Sequence, residues 1–242
     1  MIQRILMTAL AAGVASGLLI TLVQEVTTTP LILHAESFEG GGHDHGANMH
    51  GAEGEATMTG GAGGEAGHSD DHGDGAVWAP ADGLERSVFT GLSNILLGVG
   101  FALLLVAGFA LRGEAVDGRR GVLWGIAGFA TFALAPALGL PPELPGSFAA
   151  EVSARQGWWL FAAAATGAGI WLLCFAKTLW PRLLGIAVLV VPHLFGAPHP
   201  EEIGGNIPPE LAGHFVAASL VTAAIFWVFL GWLSGTLYRR WT

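Results

Sequence analysis

The sequence predicts an all-α polytopic membrane protein, a bundle of about six transmembrane helices, and three observations predict it. First, 52% of the 242 residues are hydrophobic and only 12% charged, with mean hydropathy +0.56, more apolar than a water-facing domain sustains. Second, the net charge of -9 is segregated: eleven of the nineteen acidic residues and six of the nine histidines lie between His34 and Arg86. Third, the rest of the chain resolves into apolar runs near the roughly 20 residues that cross a hydrocarbon core.

The runs are Ile5 to Val23, Val88 to Leu111, Val122 to Leu140, Gly157 to Ala176, Leu183 to Phe195 and His214 to Tyr238. The first has Arg4 ahead of it and could be read as a signal peptide. Its apolar stretch is too long for that, and no A-x-A site precedes Gln24, so an uncleaved anchor is expected. The fifth is short and bracketed by Pro181 and Pro192, which suits a tilted, broken or re-entrant piece. The count falls to five if that segment is re-entrant or the first is cleaved. Three parts follow: residues 1–33, the first transmembrane helix with an outer extension; 34–87, a histidine-rich acidic loop on the non-cytoplasmic side; and 88–242, a membrane domain of about five further helices.

Basic residues set the orientation. With the N-terminus inside, Arg4, Arg112, Arg119, Arg120, Lys177, Arg182, Arg239 and Arg240 fall on the cytoplasmic side, leaving Arg86 and Arg155 outside. Both termini are then cytoplasmic, and the expected location is a bacterial inner membrane. Helix contacts are expected at small residues, because lipid supplies no hydrophobic drive between helices and close backbone approach must do the work. Ala9, Gly13 and Gly17 recur every four residues, as do the pairs Gly121 with Gly125 and Gly231 with Gly235.

Between Gly40 and Gly75 the chain is Gly, Ala, Glu and His with almost nothing to bury, the composition of an unfolded segment. It places imidazoles beside carboxylates at His43, His45, His68 and His72, a ligand set for divalent first-row metals. The plainer reading is a solvated spacer. Such a loop collects ions without selecting among Zn, Ni, Cu and Co. A second group is expected at the same outer level: Glu25, Glu36, Asn94, His193, His199 and His214, since polar and ionisable residues in or beside spans usually line a pathway. Taken singly, Asn94 or His214 reads equally well as an interhelical hydrogen bond or a helix cap. Cys174 stands alone, so neither a disulfide nor a CxxC motif is available within the chain.

Gln24-Glu25 followed by Thr29-Pro30-Leu31-Ile32 and Ala35-Glu36, the run from Arg86 to Leu105 with Asn94, and the run Pro136 to Gly146 resemble the CbtA family of proposed cobalt transporter subunits. Arg155-Gln156 with Trp158-Trp159, Pro192-His193 with Gly196-Ala197-Pro198, and Phe226-Trp227 extend the likeness over nearly the whole chain outside the histidine-rich insertion. The resemblance implies a cobalt permease working with a small CbtB-like subunit, a single-span protein with a histidine-bearing terminus. It implies Co(2+) as substrate and no cofactor. Membrane lipids and further copies of the chain complete the expected partners; nucleic acid is not among them.

No G-x-x-x-x-G-K-[ST] sequence is present and Lys177 is the sole lysine, so the chain has no phosphate-binding loop of its own. None is needed energetically. A potential of 100 mV is worth about 2.3 kcal/mol per charge, hence about 4.6 kcal/mol for a divalent cation, which supports accumulation on the order of a thousandfold. An enzyme is not expected, because His199-Pro200-Glu201 offers no H-E-x-x-H pair. The competing reading is a non-transporting metal-binding platform or sensor.

Overall fold

The computed structural model describes residues 2–40, 80, 83–113, 115–201 and 205–241, the side chains of residues 39 and 40 excepted. Among them there are seven helices and no strand: α1 (Ile2–Val26), α2 (Thr28–Gly40), α3 (Leu84–Arg112), α4 (Gly118–Ala137), α5 (Val152–Phe175), α6 (Leu179–Phe195) and α7 (Pro209–Arg240). Five of these, α1, α3, α4, α5 and α7, are long and apolar enough to cross a membrane. Leu96, Leu104, Leu123, Val221 and Ile225 stay exposed along them, a surface that suits lipid and not water.

The sequence left open whether the short segment between Pro181 and Pro192 is broken. It is one continuous helix, with Pro181 in its first turn, where no amide partner is needed, and Pro192 near its last. Its 17 residues rise about 25 Å, somewhat less than a hydrocarbon core.

Glycine decides which helices pair. A Cβ on Gly13 or Gly17 would press into the backbone of Val99 or Ile95, so α1 and α3 touch main chain to main chain. Gly121 and Gly125 meet Gly231 across the α4–α7 interface, and Gly169 meets Gly185 between α5 and α6. The first two interfaces are those the four-residue spacing predicts. α6 packs on α5 alone, so the α5–α6 hairpin leans on the other helices mainly through α4.

The chain's two ends share one end of the bundle. There the Arg4 guanidinium lies over the Tyr238 ring at 3.7 Å, and Arg239 approaches Asp117 at 3.8 Å. Asp117 also caps α4 by accepting from the Arg120 amide at 2.9 Å. That amide holds its carboxyl below the usual carboxylate range, with desolvation opposing and the charges of Arg239, Arg120 and Arg119 assisting. α2, the start of α3 and the connection after α4 gather at the opposite end, hereafter the loop end.

Two local features shape that end. α2 continues helical to Gly40, so residues 34–40, which composition assigned to the loop, form helix instead. Ala35 on α2 packs against Leu144, Leu211 and Phe215. The second feature is a π-turn in α4 over Ala130–Leu134, where the Ala135 amide reaches back five residues to the Ala130 carbonyl. Pro136, lacking an N–H, cannot serve the Phe132 carbonyl four residues earlier, and the wider turn takes up that mismatch. Phe132, within this turn, stacks on Trp227 with centroids 5.5 Å apart and planes 4° from parallel.

Candidate functional site

Three cavities adjoin in the loop half. The outermost, 220 Å³, lies between Glu25, Thr29, Arg86 and Thr90. It shares Gln24, Thr28 and Ile32 with a chamber of 330 Å³ that reaches down to Ile20 and Phe101. The chamber shares Phe132, Ser219 and Ala223 with a larger cavity of 760 Å³ between α4, α5 and α7, whose lining includes Glu143 and Arg155. Arg155 donates to Glu143 there at 2.6 Å. In the half that carries the termini, Val106, Phe109 and Leu230 are fully buried.

Neutral hydrogen bonds organise the chamber. Asn94 of α3 uses its amide nitrogen twice, donating to Thr21 Oγ1 at 3.0 Å and to Gln24 Oε1 at 2.6 Å. Thr21 gives its own proton to the Gly17 carbonyl at 2.8 Å, and Thr27 gives its proton to the Val23 carbonyl at 2.7 Å. Thr27 is therefore the acceptor in its 3.3 Å contact with Thr222 of α7. Among the described residues, no Asp, Glu, His or Cys lines the chamber.

The outer cavity is fixed by Arg86, which binds the Glu36 carboxylate through both terminal nitrogens, one at 3.0 Å. This hydrogen bonding holds the Glu36 carboxyl below its ordinary 4.5, with partial burial opposing and the arginine charge assisting. Glu36 is thereby already engaged.

The remaining expected ligands lie apart. Glu25 is half-buried beside the outer cavity. His193 is half-buried with its ring edge-on to Trp158, centroids 6.0 Å apart, while His199 and His214 are exposed. Among the described residues no three His, Cys, Asp or Glu side chains converge, so Glu25, His193 and His199 do not form one ligand set in this conformation. His43, His45, His68 and His72 lie outside the described residues. Thr28 and Thr222 line the chamber, and Thr21 holds Asn94 beside it; none of them was singled out from the sequence. The signal on α1 was available: Thr21 and Gln24 lie three residues apart on an apolar helix, and so share a face.

Five helices long and apolar enough to cross a membrane, with exposed leucine, valine and isoleucine along them, define a multi-pass membrane protein. More narrowly, the chain belongs to the CbtA family, described as a probable cobalt transporter subunit, whose profile matches residues 2–239. Comparison with curated proteins and with solved structures found no match.

Proposed function

We propose that this chain is the membrane-embedded subunit of a divalent transition-metal uptake transporter with cobalt as substrate, and that it carries no enzymatic activity. The loop end faces the outside of a bacterial inner membrane and both termini are cytoplasmic. His43, His45, His68 and His72 collect the ion, with His199 and His214 as surface contacts and His193 beside them. Glu25 and Glu36 form the mouth, and Asn94 lies within the chamber. A small single-span partner subunit, embedded in the same lipid, completes the transporter.

One observation carries the reading: three adjoining cavities lead from Glu25 to mid-bundle, with Val106, Phe109 and Leu230 buried beyond them, an arrangement that suits a carrier open to one side. The onward route has its own support. Arg4, Thr8, Ala12, Ser16 and Ile20 recur every four residues on α1, from the Tyr238 contact up to the chamber. Thr8 and Ser16 on that row, with Ser234 on α7, bury hydroxyls that have no hydrogen-bond partner among the described residues. A buried unpaired hydroxyl costs about 1–3 kcal/mol, a cost removed when the helices part and water or a hydrated ion enters.

Cellular Co, Ni and Zn contents, measured by mass spectrometry with the chain present or absent and with or without the partner, test the function. Cobalt should rise when both are present, and deleting residues 41–79 should weaken accumulation mainly at low external metal. Metal binding that disappears with the deletion, without any change in cellular cobalt, would establish the non-transporting platform instead.

A further inference from the structure

We propose that the 330 Å³ chamber takes the divalent cation as its aquo complex, recognising the water shell through Asn94, Gln24 and Thr222 without direct metal ligation. The inference rests on the transport reading and specifies the chemical form in which the substrate occupies the site.

Size gives the first argument. Direct ligation of a first-row divalent ion needs oxygen or nitrogen atoms about 2.0–2.2 Å from the metal, which means ligands crowded around one point. The chamber is far larger, and its polar side chains come from four helices, α1, α2, α3 and α7, with the rings of Phe101, Phe132 and Trp227 also in its wall. Six waters at about 30 Å³ each occupy roughly 180 Å³, so a hexaaqua ion fits a 330 Å³ chamber with space to enter and leave.

Ligand type gives the second. Among the described residues, imidazole, carboxylate and thiolate, the side chains that compete with water for cobalt-like ions, are absent from the chamber wall. A bare divalent cation there would lose its hydration with no countercharge to compensate.

The third argument is the direction of the hydrogen bonds. Both amide protons of Asn94 are committed, to Thr21 and Gln24, and the hydroxyl protons of Thr21, Thr27 and Thr222 are spent on Gly17, Val23 and Thr27. Asn94 Oδ1 and the remaining lone pairs of Gln24 Oε1 and Thr222 Oγ1 are left as acceptors, beside the Thr28 and Ser219 hydroxyls and the Gln24 amide nitrogen in the same wall. These oxygens suit water bound to a metal ion, because the ion sharpens that water as a donor. Having no charge of its own, the wall also holds the cation weakly enough to release it.

Hexaamminecobalt(III) separates shell recognition from direct ligation, since its six ammines donate hydrogen bonds as waters do and do not exchange. Cobalt(II) uptake is measured in vesicles holding the full chain and its partner, with increasing hexaamminecobalt(III). Competitive inhibition is expected, raising half-saturating cobalt(II) without lowering the maximal rate. Asn94→Leu should raise half-saturation about tenfold, the scale of one charge-assisted hydrogen bond, and remove most of the inhibition. Thr222→Val, which keeps the side-chain shape, should shift both in the same direction and guards against misfolding of the Asn94 variant. Uptake unaffected by a hundredfold excess of the ammine complex overturns the inference and leaves transport standing. Equal inhibition in wild type and both variants also overturns it, because the complex then acts on the acidic surface. Absence of cobalt(II) uptake in wild type overturns the transport reading and this inference with it.

Discussion

Arg4 and Tyr238 close the bundle at the end that carries both termini. The guanidinium carbon stands 3.7 Å from the ring centroid, and Nε donates to the Tyr238 main-chain carbonyl at 3.1 Å. A planar, delocalised cation is needed for both contacts at once, so lysine is not an equivalent replacement. Arg4→Ala should loosen this end. In a Cys174→Ser background, a cysteine at Ser16 should then react about tenfold faster with a thiol reagent applied from the termini side, a factor matching loss of roughly 1.4 kcal/mol of closure. Unchanged labelling would mean that the pair is not a gate.

Glycine positions separate interior contact from lipid-facing surface. Gly121→Val would drive a branched side chain into the Gly231 main chain, whereas nothing lies within 4 Å of a Cβ added at Gly100. The first change should destabilise the folded protein by about 1–3 kcal/mol or prevent its accumulation. Gly100→Ala should stay within about 0.5 kcal/mol of wild type. Membrane abundance and thermal aggregation in detergent distinguish the two.

Much of this packing was legible from the sequence, because in lipid the four-residue spacing of small side chains is itself the contact surface: Gly13 with Gly17, and Gly121 with Gly125, lie where their spacing put them. The helical run to Gly40 was not. Leu31, Ile32, Ala35 and Phe38 carry helical spacing, but their partners Leu144, Leu211 and Phe215 are more than a hundred residues away, and the adjoining glycine-rich tract dominated the composition. Within the chamber, Asn94 stood out as a lone amide in an apolar run. Thr21 and Thr222 did not, since a threonine in a membrane helix usually bonds back to its own turn, and their roles depend on residues 73 and 195 positions away. Pro136 lies inside the run Val122 to Leu140, which was read as one span; that a π-turn precedes it and places Phe132 against Trp227 depends on packing with a helix about ninety residues away.

The Glu36–Arg86 ion pair should make the outer mouth sensitive to acid. Because the folded carboxyl titrates below its ordinary 4.5, its contribution to stability is complete above that value and is lost as pH falls through the lowered one. Thermal unfolding of wild type and Glu36→Gln, measured between about pH 7 and pH 3, should differ at the upper end and converge at the lower. A constant difference across the range would assign the loss to packing.

Membrane orientation can be read with two cysteines on exposed positions at opposite ends, again in the Cys174→Ser background. Phe148→Cys, at the loop end, should react with an impermeant reagent added to intact spheroplasts, and Arg119→Cys should not. Gly118 is unsuitable for this purpose, since a Cβ there would press on Thr236 and Trp232. The reverse labelling pattern would place the cavities on the cytoplasmic face.

Potential-driven cobalt uptake tests the central claim most directly. Proteoliposomes containing the full chain and its small partner, held by a potassium diffusion potential at about 100 mV negative inside, should accumulate labelled cobalt saturably, and collapsing the potential should reduce the plateau by orders of magnitude. Accumulation no greater than in protein-free vesicles, from protein shown to be folded and inserted, would contradict the account.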